Sequence, residues 1–117
     1  EALSDFWALE FTTPDSAPVD GVYPAAEYWS RAFGAGLRNR PFSTNMEINP
    51  LTYADLGHAW RYAEIHEDGV IWVQALVEVR ANLIRQFGVV EGRKRLRRIV
   101  LDGMKMSPPA PSMVAAS

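Results

Sequence analysis

The sequence predicts a mainly α-helical fold. Apolar residues recur at helical spacing over residues 72–87 and again over 96–104. Gly88 separates these two stretches where a C-cap glycine belongs, and a proline-rich segment that begins at Ser107 ends the second stretch. No segment shows the sustained alternation of apolar and polar residues that is typical of a strand. We therefore expect helices joined by irregular chain.

The helices divide the chain unevenly. The first residues are good helix formers, with Leu3, Phe6 and Trp7 on one side. Prolines and glycines then interrupt the sequence for about fifty residues without any periodicity, and ordered connections of that length are usually functional. The predicted elements are a helix over 1–11, a long ordered connection over 12–62, a helix at about 65–87 and a third helix at about 91–105.

Each of the two long helices is expected to bury one apolar stripe. In the helix at 65–87 the stripe comprises Trp72, Val73, Leu76, Val79, Leu83, Ile84 and Phe87. In the helix at 91–105 it comprises Leu96, Ile99, Val100 and Met104.

Composition excludes several classes of protein. Of the 117 residues 48% are hydrophobic and 22% charged, as in an ordinary globular protein, and no apolar run is long enough for a membrane helix. A net charge of -2 gives no overall attraction to nucleic acid or to anionic lipid. Because cysteine is absent, disulfides, thiolate ligands and thiol nucleophiles are excluded together.

Glu1 and Asp5 lie one helical turn apart. On a helix, residues four apart share a face, so one carboxylate could bind a metal while the other orients a metal-bound histidine. Two solvent-exposed carboxylates are the commoner outcome of this spacing. The pair alone is therefore a weak indication of chemistry.

His66 is the second candidate. A histidine near a helix start can serve as a general acid or an electrophile, although a merely exposed or capping histidine is more common. His66 and Glu67 begin like the zinc motif HExxH, but the position of its second histidine is occupied by Val70, which cannot bind a metal. His58 is eight residues upstream and does not complete the motif.

Arg38 is the third candidate. It lies in a glycine-rich part of the connection and could donate hydrogen bonds to a substrate carbonyl or carboxylate. Most loop arginines are simply solvated, and on chemistry alone Arg40 is an equal candidate. The basic residues over 93–98 surround Leu96 without an aromatic platform for nucleic acid, so we interpret them as a solvated helix face.

Taken in chain order, these segments resemble the fungalysins, which are thermolysin-like metallopeptidases. Glu1-Ala-Leu-Ser-Asp5 resembles the family's Glu-x-x-x-Asp segment. Further matching segments follow in the family order and extend the resemblance to about Ala115. They are Gly36–Met46 and Asn49–Tyr53 in the connection, Glu64–Trp72 with the histidine, and Val100–Pro108 near the exit.

The resemblance implies a secreted zinc endopeptidase that hydrolyses protein or peptide substrates, with no nucleic-acid or membrane partner. In this family the glutamate of that segment is the third zinc ligand, which would be Glu1, and the aspartate, here Asp5, would orient a zinc-bound histidine. Arg38 would contact the substrate carbonyl and His66 would stabilise the tetrahedral intermediate. The family's HExxH helix, with two zinc ligands and the general base, has no counterpart in this sequence.

We therefore expect residues 1–117 to be a single partial domain, the helical C-terminal lobe of a thermolysin-like metallopeptidase, excised from a longer chain and inactive without its N-terminal part. Alternatives are a non-catalytic helical module that binds peptides or proteins, and a basic-helix nucleic-acid binder. The resemblance divides the chain into the end of a zinc-ligand helix over 1–11, a cleft connection over 12–62, two core helices over 63–106 and a truncated exit segment over 107–117.

Overall fold

A computed structural model describes residues 1–31, 36–58 and 65–109. Within these ranges the protein is mainly helical, as predicted, and forms no strand; Tyr23 and Phe42 make an isolated antiparallel bridge. No helix in the described ranges combines the length and apolar character that crossing a membrane requires. The helices are α1 (Ala2–Thr12), α2 (Glu27–Ser30), α3 (Ile65–Phe87) and α4 (Val89–Met106), with a 3-10 turn at Tyr53–Asp55.

The predicted helices agree with these bounds to within one or two residues. The described part of the long connection is irregular as expected, and its helical pieces are α2 and the 3-10 turn. Three stretches lie outside the described residues. Residues 32–35 belong to the predicted connection, residues 59–64 span its end and the start of the predicted two-helix segment, and residues 110–117 end the predicted exit segment.

The chain divides into two compact units, one over residues 1–78 and one from residue 79 onward. In the first unit, Phe6 of α1 and Phe42 of the connection are buried together with an apolar face of α3. Gly69 has no side chain to separate α3 from α1, and a Cβ at this position would lie 3.5 Å from the backbone nitrogen of Ala2. The first turn of α1 therefore packs directly on the first turns of α3.

A capping interaction fixes the 3-10 turn. The carboxylate of Asp55 accepts a hydrogen bond of 2.8 Å from the backbone N–H of Thr52 and one of 2.9 Å from its hydroxyl. These bonds stabilise the ionised form, and the N–H makes the larger contribution, so the pKa of the Asp55 carboxyl lies below its ordinary value.

In the second unit, α4 packs closely against the last turns of α3. Gly88 ends α3 with a φ of 78°, and its N–H donates to the carbonyl of Ile84. Gly92 then lies so near α3 that an added Cβ would meet the carbonyl oxygen of Leu83 at 2.7 Å. Leu96 and Val100 are buried on the same side of α4. A glycine at position 92 therefore permits this close crossing.

The predicted stripes were right in part. Val73, Ile84, Leu96 and Val100 are buried, whereas the prediction was wrong for Val79, Phe87, Ile99 and Met104, which are exposed. Apolar residues occur on more than one face of each helix, so periodicity alone did not define which face is buried. The fully buried apolar side of α3 instead comprises Val70, Ile71, Val73, Val77, Ala81 and Ile84.

The titration of Asp55 should follow its hydrogen bonds. Because the folded pKa is depressed, the stabilisation by this carboxylate is present above its unfolded pKa and is lost as the pH falls through the folded value. We expect Thr52→Ala to raise the NMR titration midpoint of Asp55 only partly, because the stronger backbone donor remains. An unchanged midpoint in Thr52→Ala, or a wild-type midpoint equal to that of a peptide spanning 52–56, would contradict this assignment.

Two glycines of α4 form a matched pair. We expect Gly92→Ala to lower the free energy of unfolding by roughly 1–3 kcal/mol because the methyl group collides with the α3 backbone. Gly103 has no heavy atom within 4 Å of its Cβ position, so Gly103→Ala should raise stability by about 0.5–1 kcal/mol. Urea denaturation of both variants provides the measurement, and equal effects would show that α4 does not approach α3 as described.

Candidate functional site

Glu1, Asp5, Arg38 and His66 lie together in the first unit. They come from three separate parts of the chain. Glu1 is the N-cap residue of α1 and Asp5 lies in its first turn, whereas Arg38 belongs to the connection and His66 to the first turn of α3. The contact between α1 and α3 at Gly69 brings two of these parts together. The four residues singled out by sequence therefore form one cluster.

Arg38 and Asp5 make a two-pronged ion pair at the centre of this cluster. The Nε of Arg38 donates to Oδ2 of Asp5 at 2.7 Å, and Nη2 donates to Oδ1 at 2.9 Å. Only 8% of the Arg38 side chain and 17% of the Asp5 side chain are exposed. The hydrogen bonds from Arg38 to Asp5 raise the pKa of the guanidinium, and burial opposes this rise. Parallel bonds of this kind fix the orientation of both partners as well as their separation.

Glu1 lies between Arg38 and His66. Its Oε1 accepts from Nη2 of Arg38 at 3.3 Å and lies 3.0 Å from Nδ1 of His66. Partial desolvation tends to raise the pKa of the Glu1 carboxyl, but the interactions with His66 and Arg38 outweigh it, so the pKa lies below its ordinary value. Glu1 is therefore a carboxylate at neutral pH, and its side chain and that of His66 are 39% and 44% exposed. Both remain accessible to a ligand.

The backbone around Arg38 explains its position. The N–H of Leu37 donates to the carbonyl of Ala25 at 2.6 Å, and this bond joins two parts of the connection that are twelve residues apart. Gly36 has a φ of 77°, and a Cβ there would lie 2.6 Å from the same carbonyl oxygen. A glycine is therefore needed immediately before this closure, both for its conformation and for the close approach. Arg38 follows directly and turns into the cluster.

The other polar candidates lie elsewhere. Arg40 and His58 are exposed and make no contact with the cluster among the interactions of the described residues. On α4, Lys94 and Arg95 pair with Glu91, and Arg98 pairs with Asp102, at the solvent-facing surface predicted for this run. The prediction was wrong for Arg93, which is buried and does not belong to that surface.

The cluster does not by itself make a metal site. The described residues contain no group of three or more histidines, aspartates or glutamates placed to hold a metal ion. A catalytic zinc requires three protein ligands and one open position, whereas the accessible donors here are Glu1 and the adjacent His66. Glu1 fits the role of one ligand, and further ligands would have to come from other residues.

Sequence reasoning did not identify the mutual pairing of Arg38 with both carboxylates, nor the buried amides of Asn49 and Gln74 that support the connection. A signal for the amides was available, because Gln74 is a polar residue in the middle of an apolar helix face.

Arg38 should be sensitive to a conservative change. Arg38→Lys keeps the positive charge but cannot donate two parallel bonds to Asp5, so we expect it to lower the free energy of unfolding by about 1–3 kcal/mol. Arg40→Lys is the matched control and should change stability by less than about 0.5 kcal/mol. Urea denaturation at neutral pH is the measurement, and equal losses in both variants would contradict the described pairing.

Comparison with known proteins identifies the family of this chain. A family model described as fungalysin metallopeptidase (M36) matches residues 1–117. The relatives include probable extracellular metalloproteinase 2 of Arthroderma benhamiae and extracellular metalloproteinase 2 of Trichophyton rubrum, both 33% identical to this chain, and extracellular metalloproteinase 10 of Coccidioides posadasii, 34% identical. Each alignment covers 99% of this chain and 20% of the relative, so the chain spans about a fifth of their length. The chain belongs to the fungalysin metallopeptidase family.

Proposed function

We propose that this chain is the helical C-terminal lobe of the catalytic domain of a secreted zinc endopeptidase, and that it supplies one zinc ligand and the residues around the substrate. The observation that carries the proposal is the convergence of Glu1, Asp5, Arg38 and His66 from three segments of a chain that belongs to a metallopeptidase family. The names of the relatives, which describe extracellular metalloproteinases, support secretion.

Glu1 is the residue of this chain that would bind zinc. Its lowered pKa makes it a carboxylate at neutral pH, and its partial exposure leaves it accessible to a cation. The other two ligands would be the histidines of an HExxH helix in the longer protein, which would also supply the general base. A zinc ion held in this way polarises a bound water and the scissile carbonyl.

Asp5 and Arg38 would keep Glu1 in place. Arg38 bonds to both carboxylates at once, so it fixes the first turn of α1 relative to the connection. Nη1 of Arg38 takes part in none of these three bonds, and we assign it the role of donor to a substrate carbonyl. Asp5 would also orient a zinc-bound histidine.

His66 would act on the substrate. Nδ1 of His66 lies 3.0 Å from Oε1 of Glu1, and Nε2 is the second ring nitrogen. The side chain is 44% exposed, so a bound peptide can reach it. We propose that this ring, in its doubly protonated form, donates a hydrogen bond from Nε2 to the oxyanion that develops when the peptide carbonyl is attacked.

The proposed domain boundaries follow from these roles. Residues 1–11 would end the helix that carries the zinc ligand, residues 12–62 would line the cleft, residues 63–106 would contribute two core helices and residues 107–117 an exit segment. We propose that the segment alone neither binds zinc tightly nor hydrolyses peptides, because its described residues offer no complete ligand set.

In the full-length protease, we expect His66→Gln to lower kcat on a peptide substrate by about 10²–10³-fold, the usual cost of losing an oxyanion donor, while the zinc content stays unchanged. Glu1→Gln should lower both zinc content and activity. His58→Gln is the control and should retain full activity, since His58 is exposed and makes no contact with the cluster among the interactions of the described residues.

Two further measurements test the proposal. The coding sequence upstream of Glu1 should contain HExxH, and zinc titration of the isolated segment should show no tight binding. A full-length protein that lacks HExxH, or one in which His66→Gln keeps normal kcat, would rule out the proposed role.

A further inference from the structure

Three buried polar side chains join the connection to α3. They are Ser43 and Asn49 of the connection and Gln74 of α3, each at most 5% exposed. Oε1 of Gln74 accepts from the backbone N–H of Ser43 at 3.3 Å and from Nδ2 of Asn49 at 3.2 Å. Nε2 of Gln74 donates to the carbonyl of Ser43. One side chain thus satisfies both backbone groups of a buried residue, which would be costly to leave unpaired.

Asn49 extends this arrangement along the connection. Its Nδ2 also donates to the carbonyl of Pro41 at 3.0 Å, and its Oδ1 accepts from the N–H of Leu51. The backbone at Pro41, Ser43 and Leu51 is therefore held by two amide side chains that bond to each other. Connected polar networks of this kind are rigid when every member has its partners.

This network adjoins the anchors of Arg38. Arg38 lies between Leu37, bonded to Ala25, and Phe42, whose N–H and carbonyl both pair with Tyr23 at 2.9 Å. Ser43, the residue bonded to Gln74, follows Phe42 directly. Gln74 therefore fixes the end of the six-residue stretch from Arg38 to Ser43.

Gln74 and His66 belong to the same helix. They are eight residues apart in α3, which corresponds to a rise of about 12 Å along the helix axis. Because a helix is stiff, a bond from Gln74 to the connection sets the position of that connection relative to His66. The separation between Arg38 and His66, which approach Glu1 from different segments, depends on this link.

We propose that Gln74 is a positioning residue of the peptidase site, which acts through Ser43 and Asn49 to hold Arg38 in register with His66. It does not touch the substrate. The inference rests on the proposed function for its effect on catalysis, whereas the hydrogen-bonded link itself can be tested without any activity.

The test compares Gln74→Met with Val77→Ala in the full-length protease. Methionine keeps the length of the side chain but leaves Ser43 and Asn49 without their partner. Val77 is buried one turn further along α3, so its truncation costs stability without involving this polar network. We expect Gln74→Met to lower kcat/KM by about 10–100-fold, because small displacements of positioned groups have effects of that size. Val77→Ala should stay within about threefold of wild type.

A double-mutant comparison separates positioning from general damage. If Gln74 acts through Arg38, the loss caused by Gln74→Met should shrink to less than about threefold in an Arg38→Ala background. A full additional loss in that background, or an equal loss in Val77→Ala, would overturn the proposal. Gln74→Glu provides a second variant should Gln74→Met not fold, since it keeps Oε1 as an acceptor but loses the donor to the Ser43 carbonyl.

Hydrogen exchange measured by mass spectrometry distinguishes this inference from the proposed function. In Gln74→Met or Gln74→Glu, exchange should accelerate in peptides covering 37–51, while Val77→Ala should leave it close to wild type. Unchanged exchange in that segment would overturn the positioning role even in an active enzyme. Inactive wild-type protein with accelerated exchange in the Gln74 variants would instead count against the peptidase function and support the link.

Discussion

The ion pair between Arg38 and Asp5 is the interaction on which the site depends. Arg38 is almost fully buried, and a buried guanidinium is stable only when its charge and its donors are matched. Asp5 accepts two of its bonds and Glu1 a third. The connection, which has little secondary structure of its own, is therefore held to the start of α1 by charge as well as by packing. Glu1 acquires a defined position because its neighbour Arg38 already has one.

The surrounding structure brings the two members of this pair together. The approach of α1 to α3 at Gly69 brings the carboxylates near the start of α3, and the closure before Arg38 depends on Gly36. At Gly36 a Cβ would lie 2.6 Å from the carbonyl oxygen of Ala25, whereas at Gly69 it would be in ordinary contact with Ala2. The amides of Asn49 and Gln74 satisfy the buried backbone of the connection. Polar groups are tolerated in this interior because nearly every one has a partner.

The helices and the members of the cluster were predicted from different kinds of information in the sequence. Helix bounds followed from local signals, namely apolar spacing, Gly88 and the prolines after Met106. The buried faces followed only in part, since Ile99 and Met104 fit the spacing of Leu96 and yet are exposed. Spacing records which residues share a face, but what packs against that face is a property of the whole chain. Similarly, resemblance selected Glu1, Asp5, Arg38 and His66, whereas their mutual distances required the folded structure.

The wide sequence separation within the cluster also determines when it can form. Arg38 is 33 residues from Asp5 and 37 from Glu1, and His66 is further still along the chain. Closing such loops costs entropy before any contact compensates for it, whereas the packing of α4 on the adjacent end of α3 needs only a short turn at Gly88. Loop entropy therefore favours the helical pair over the ion pairs as the first contact to form. An intact cluster therefore requires that three distant segments of the chain have come together, whereas the contact between α3 and α4 requires only neighbouring ones.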